Sequence, residues 1–170
     1  AWTTWRRSNF ARSSFNSTHP FHITRLRPTE WKLEYALAQQ ARPNQKGGLG
    51  WLMPLHKKYF YASPWRRLMN FFSLSNTEKL IIRDDSRRRI LASLWIENSM
   101  STLSIRTHLM TAPDIEHEPY ADALINNIVQ RFNRSTIMME HPHDDIAVNN
   151  LLTHHQFRIK RDLWHMRLDL

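Results

Sequence analysis

The segment PDIEHEPYADAL, Pro113 to Leu124, joins a run that reads as a strand, STLSIRTHLM, to one that reads as a helix, ADALINNIVQRF. Strand–loop–helix units hold phosphate groups on backbone N–H groups at the helix N-terminus, aided by the helix dipole. Such loops are commonly rich in glycine, which lets the backbone approach the ligand. This loop has no glycine; it carries Glu116, Glu118 and Pro119, and Pro119 has no N–H to offer. At an effective dielectric near 20, two unit charges about 6 Å apart repel by roughly 3 kcal/mol before salt and exposure reduce it. The same glutamates suit a helix N-terminus that binds nothing. Strand alternation places His108 on one face with Ser104 and Arg106. Glu97 ends the preceding strand, and Glu140 and His141 end the following one. Strand ends of open α/β sheets border ligand clefts.

Two short stretches, EHE (Glu116–Glu118) and EHPHDD (Glu140–Asp145), contain metal-ligand residue types. Neither has the spacing of a closed site, and helix capping accounts for the aspartates, so no metal is expected. P-loop, dinucleotide fingerprint and nucleophile-elbow patterns are absent.

The elements that must position these residues follow from pattern. FHITRLRP reads as a first strand, and TEWKLEYALAQQA as a helix with Thr29 as N-cap and Trp31, Tyr35 and Ala38 on one face. WLMPLHKKYFYASPWRRLMNFF reads as one or two helices broken near Pro64, with snorkelling cations. EKLIIRDD and RRILASLWIEN form a hairpin, and STLSIRTHLM follows as a third strand. ADALINNIVQRF turns Leu124, Ile125, Ile128, Val129 and Phe132 inward. STIMMEH is a nearly continuous apolar strand, as expected of a buried parallel position. Asp144 or Asp145 caps the helix DIAVNNLLTHHQF, and RIKRDLWHMRLDL ends the chain as an alternating strand.

Composition bounds the rest. A chain of 170 residues, 41% hydrophobic with 7 Trp, suggests one domain with a sizeable core. There is no cysteine, which excludes disulfides and cysteine metal sites and fits a reducing compartment. No apolar run approaches the roughly 20 residues of a membrane span. A net charge of +9 favours contact with polyanions. Residues 1–20 are rich in Arg, Ser, Thr and Asn, and the first acidic residue is Glu30. They read as a basic N-terminal arm, and residues 21–170 as a single domain. A cytoplasmic location is expected; the acid-poor, Arg- and Ser-rich start also resembles a transit peptide for an organelle matrix such as the mitochondrion.

The order β, α, α, β, β, β, α, β, α, β, together with the Pro113–Leu124 loop, resembles the GNAT superfamily of acetyl-CoA-dependent N-acetyltransferases, from His22 onward. In that family a strand ends near a proline, and [Arg/Gln]-x-x-Gly-x-[Gly/Ala] follows at fixed offsets before a helix with an early inward Leu. Measured from Pro113, those offsets fall on Glu116, Pro119, Ala121 and Leu124; the spacing agrees throughout and the chemistry at Ala121 and Leu124. A second signature, Leu-Tyr-x-x-x-Gly-Phe, is similar to Leu151, Leu152, Gln156 and Phe157, with Leu152 in place of Tyr and Gln156 in place of Gly. RDLWHMRLDL resembles the family's last strand.

The resemblance implies an α/β (α+β) fold, a mixed and mostly antiparallel sheet of about six to seven strands flanked by about four helices. It implies transfer of an acetyl group from acetyl-CoA to an amine, without metal. The cofactor lies between LSIRTHLM and TIMMEH, on the backbone of Leu109, Met110 and Thr111. Its pyrophosphate lies near Glu116, His117, Glu118, Tyr120 and Ala121, and Asn150 approaches from the later helix. The base is Glu97 or His108, with Glu140 and His141 at neighbouring strand ends. Because Leu152 cannot donate a proton, the acid is Tyr120, with His154 or His155 as substitutes. The alternative is a catalytically inactive GNAT-like subunit of a larger assembly of protein, RNA or membrane, since fold does not dictate function.

Overall fold

The computed structural model describes residues 1–9, 11, 20–49, 53–61, 75–86, 88–99 and 104–163. The strands are β1 Trp2–Arg7, β2 Thr24–Arg25, β3 Ser75–Arg83, β4 Ile90–Ser99, β5 Ser104–Thr111, β6 Thr136–Pro142 and β7 Arg158–Leu163. The helices among the described residues are α1 Trp31–Ala41, α2 Glu118–Arg131 and α3 Ile146–His154. The expected four helices are therefore three here. Of the helical stretch expected after Gly50, residues 53–61 hold only a 3-10 turn, Lys57–Tyr59, and residues 62–74 lie outside the described residues.

One seven-stranded sheet runs in the order β2-β3-β4-β5-β6-β1-β7. β3 and β4 form the expected antiparallel hairpin, closed by Asp84 N–H donating to the Arg89 carbonyl at 3.1 Å. β4 and β5 are antiparallel, and β5 and β6 are parallel, linked by α2. The sheet is thus mixed and mostly antiparallel, as the sequence predicts.

The largest difference lies at the N-terminus. Trp2–Arg7, expected to be part of a basic arm, is an inner strand, antiparallel to both β6 and β7. Trp2, Thr3, Thr4, Trp5 and Arg7 are all buried. Its polar side chains find partners: Thr3 Oγ1 donates to Asp162 at 2.7 Å and Arg7 Nε to the His155 carbonyl at 3.1 Å. WTTWRR lacks the alternation of a half-buried strand because neighbours on both sides satisfy polar groups that alternation would send to water.

Two smaller corrections follow. The first predicted strand shrinks to Thr24–Arg25. Thr29 is not an N-cap; Pro28–Glu30 is a 3-10 turn, and the Glu30 carboxylate accepts from the Arg27 N–H at 2.7 Å.

Each face of the sheet carries its own core. On one face α2 and α3 place Leu124, Ile125, Ile128, Val148 and Leu152 against Leu94, Ile96, Ile105, Leu109 and Ile137. On the other, Leu37 and Ala38 of α1 meet Ile81, Trp95 and Met110. Each fully buried Leu or Ile contributes about 1.5–3 kcal/mol, so both faces are held firmly. Among the described residues no helix is long and apolar enough to cross a membrane.

Candidate active site

The parallel pairing of β5 with β6 covers only Ser104–Thr107 against Thr136–Met139. Beyond it each strand keeps its outer neighbour: β5 pairs with β4 to Thr111, and β6 with β1 to Pro142. The sheet therefore opens between Leu109–Thr111 and Glu140–Pro142, at the carboxyl ends of two parallel strands, where open α/β sheets bind ligands.

Arg42 reaches into this opening. It caps the C-terminus of α1, its N–H donating to the Ala38 carbonyl at 2.8 Å. Its Nη2 donates to the Leu109 carbonyl at 3.0 Å and meets His141 Nδ1 at 3.1 Å. The guanidinium lies 5.3 Å from the Trp2 ring centre, in cation–π contact. Gly47, at φ 99°, abuts the Trp2 indole where a Cβ would collide with it, so the loop's glycine seats that ring over Arg42. Arg42 is only 8% exposed, and among the described residues no carboxylate touches it.

The contacts continue to the surface. An arginine only donates, so His141 Nδ1 accepts and Nε2 carries the proton. His141 Nε2 then donates to Asp145 Oδ2 at 2.9 Å. Asp145 Oδ1 accepts from the Val148 N–H at 3.2 Å, capping α3, and stands 3.3 Å from His117 Nε2. Burial and the Arg42 charge push His141 down to about 4, so it is neutral at pH 7. Burial also draws Arg42 down to about 10, against the raising effect of Asp145 and Asp144, and it stays charged. Burial raises the Asp145 carboxyl, but its bond and charge contact with His141 outweigh this and hold it well below the carboxylate range.

His108 follows Thr107, the last β5 residue paired with β6, and points to the α1 face, its ring 6.3 Å from Trp95. Its Nδ1 is buried without a hydrogen-bond partner. Burial lowers its pKa; Glu97, Glu140 and a bond to the Leu49 backbone oppose this, and Arg106 adds to it. Burial thus favours the neutral imidazole at His108, the state a general base needs. Glu97 faces Arg106 in register. Tyr120 lies across the sheet, packed on the α2–α3 core with its ring 4.6 Å from Phe21.

The other predicted positions divide. Leu109, Met110 and Thr111 are buried along the opening. Glu116 and Glu118 are exposed, His117 joins the Asp145 contact, and Ala121 is core, its N–H donating to the His117 carbonyl at 3.0 Å. Asn150 is exposed on α3; Asn149 turns inward, accepting from Trp5 Nε1 at 3.1 Å and donating to the Pro142 carbonyl at 3.1 Å. Leu152 is fully buried core, His154 is exposed, and His155 Nε2 meets Asp122 at 2.5 Å. Gln156 takes the left-handed φ of 65° that glycine favours. Among the described residues no three His, Asp or Glu groups converge to hold a metal.

Arg42 and Trp2 are the parts of the opening that pattern reading misses, and Asp145 is read there only as a cap. The one available signal is Gly47-Gly48 just after Arg42, which marks a close backbone approach.

No protein-family model and no curated protein matches the chain. Solved structures do resemble it. A GNAT-family protein of Novosphingobium aromaticivorans shares 15% identity at a TM-score of 0.57, over 95% of this chain and 62% of its own. A GNAT-family acetyltransferase of Colwellia psychrerythraea shares 8% at 0.56, over 94% and 52%. A tandem GNAT protein from the clavulanic acid biosynthesis pathway shares 10% at 0.52, over 93% and 50%. The fold is GNAT-like, and the chain spans about half to three-fifths of the length of these structures.

Proposed function

We propose that this domain is an acyltransferase that moves an acetyl group from acetyl-CoA to an amine. The observation that carries the reading is the opening between β5 and β6, bordered by His108, whose buried Nδ1 has no hydrogen-bond partner. The backbone edge of Leu109 to Thr111, unpaired with β6, suits an extended donor arm once Arg42 yields the Leu109 carbonyl. The Pro113–Glu118 loop suits its phosphates poorly, with two exposed glutamates and Pro119 in the first turn of α2. Binding therefore rests on the arm more than on the phosphates.

The chemistry balances without metal. The amine lone pair attacks the thioester carbonyl carbon, forming the C–N bond as the C–S bond breaks. His108 accepts the proton the amine nitrogen sheds, and the thiolate leaves with a proton from solvent. Tyr120, on the far face of the sheet, has no part in this.

A second reading is favoured by one observation, that Arg42 occupies the opening. It is a catalytically inactive subunit that meets a protein partner, or a polyanion through its basic surface. That reading predicts no effect of acetyl-CoA on melting temperature, and RNA affinity, if any, that falls steeply with salt.

Calorimetric titration of acetyl-CoA, followed by acetylation assays on a panel of amines, separates the two. The acyltransferase reading expects saturable binding, and a fall in kcat of about a hundredfold or more for His108→Gln with binding retained. No heat up to millimolar acetyl-CoA would leave only the second reading.

A further inference from the structure

We propose that Arg42 is the internal occupant of the donor channel and sets how tightly the donor binds. The donor arm enters by taking the Leu109 carbonyl and the space beside His141 from the Arg42 guanidinium. This inference rests on the acyltransferase reading above.

Four features make Arg42 a replaceable occupant. First, it has no carboxylate in contact among the described residues, so leaving breaks no ion pair. Its bonds go to a carbonyl and to a neutral imidazole. Second, an incoming arm can restore what is lost. The amide N–H groups of a pantetheine chain are donors of the same type, and one of them can satisfy the Leu109 carbonyl in place of Nη2. A carbonyl left bare in that opening would instead carry a full desolvation penalty.

Third, beyond the Leu109 carbonyl and His141 Nδ1, both of which a donor on the arm can reach, the contacts past His141 do not depend on Arg42. Asp145 keeps His141, His117 and the Val148 N–H. Fourth, α1 need not move. It is pinned from within by Glu34, which accepts from Lys79, Ser93 and Trp95. Arg42 follows the last helical residue, on the non-helical backbone of the cap, so its side chain can turn out while the helix remains. Stacking on Trp2 is what holds the guanidinium in.

A ligand whose site is open only part of the time binds more weakly in proportion to the open fraction. Removing the occupant should therefore raise affinity, which loss of a structural residue would not do. The test is calorimetric titration of acetyl-CoA into the wild-type chain and into Arg42→Met. Methionine keeps an unbranched apolar side chain under Trp2 and donates nothing. The expected result is binding at least about tenfold tighter in the variant, as for a channel open a tenth of the time.

Equal or weaker binding in a folded variant overturns the role of Arg42 and leaves the acyltransferase reading standing. Binding to neither protein overturns that reading as well. Should Arg42→Met fail to fold, Asp145→Asn serves instead. It keeps an N-cap for α3 and removes the charge that anchors His141 against Arg42. A gain of about threefold is expected from that looser hold; no gain counts against the proposal.

Discussion

Two buried charges on and just past the same helix are accommodated in opposite ways. Glu34, inside α1, is fully buried and answered directly: Lys79 at 2.6 Å, Trp95 Nε1 at 2.6 Å and Ser93 at 2.8 Å all donate to it. Lys79 in turn lies 3.8 Å from the Trp95 ring centre. Arg42, just past the end of α1, is buried with a carbonyl and a neutral imidazole for company. Its nearest answering carboxylate, Asp145, acts through His141. The first arrangement leaves no bond for a ligand to take. The second leaves bonds that a ligand can replace with its own. Burial alone does not distinguish scaffold from site; the identity of the partner does.

Removing the direct partner should show the difference at its largest. Glu34→Ala takes the carboxylate away from the mostly buried Lys79 ammonium, and should lower unfolding stability by about 3 to 5 kcal/mol in urea denaturation. A loss under about 1 kcal/mol would mean that the pair is no pin and that the contrast fails.

The second test uses pH. His141 sits at about 4 when folded, against an ordinary value of 6.5. Between those values the unfolded chain holds the proton and the folded chain does not. Stability is therefore complete above pH 6.5 and falls as pH drops to 4, by about 3 kcal/mol for this group alone. Asp145, whose carboxyl is held below its usual range, adds a further loss only below its ordinary value of 3.8. Denaturation midpoints measured across that range should lose much of their slope in His141→Gln. An unchanged slope would place the titration elsewhere.

A smaller effect is expected further along the same chain of contacts. Asp145→Asn should cost about 1 to 2 kcal/mol, because it keeps the cap on α3 and gives up one charge-assisted bond. Smallest of all is the surface pair Arg89–Asp114, both partners well exposed. Arg89→Gln should leave the melting temperature unchanged, and a clear drop would show that exposed pairs cannot serve as the reference.

Much of the fold was legible because its local signals agree with one another. The β3–β4 hairpin, the apolar stripe of α2 and the near-continuous apolar run of β6 each show their period in sequence. The stretches ADALINNIVQRF and DIAVNNLLTHHQF, read as helices, overlap α2 and α3. β1 was not legible. WTTWRR is polar at positions that are buried only because β6 and β7, far away in sequence, supply partners. Arg42 was hidden for the same reason. It reads as a loop cation beside Pro43, and only the tertiary approach of Leu109, His141 and Trp2 turns it inward. His108 was legible as a strand residue, but its buried, unpartnered Nδ1 was not.

Under the proposed function, the opening between β5 and β6 receives the donor. The most direct measurement is a titration of acetyl-CoA into isotopically labelled protein, followed by amide and guanidinium NMR. Saturable shifts are expected at Leu109 to Thr111, at Glu140 and His141 and at the Arg42 side chain, with the exposed edge of β7 unmoved. Shifts confined to the basic surface of β7, or none at all at millimolar acetyl-CoA, would contradict it.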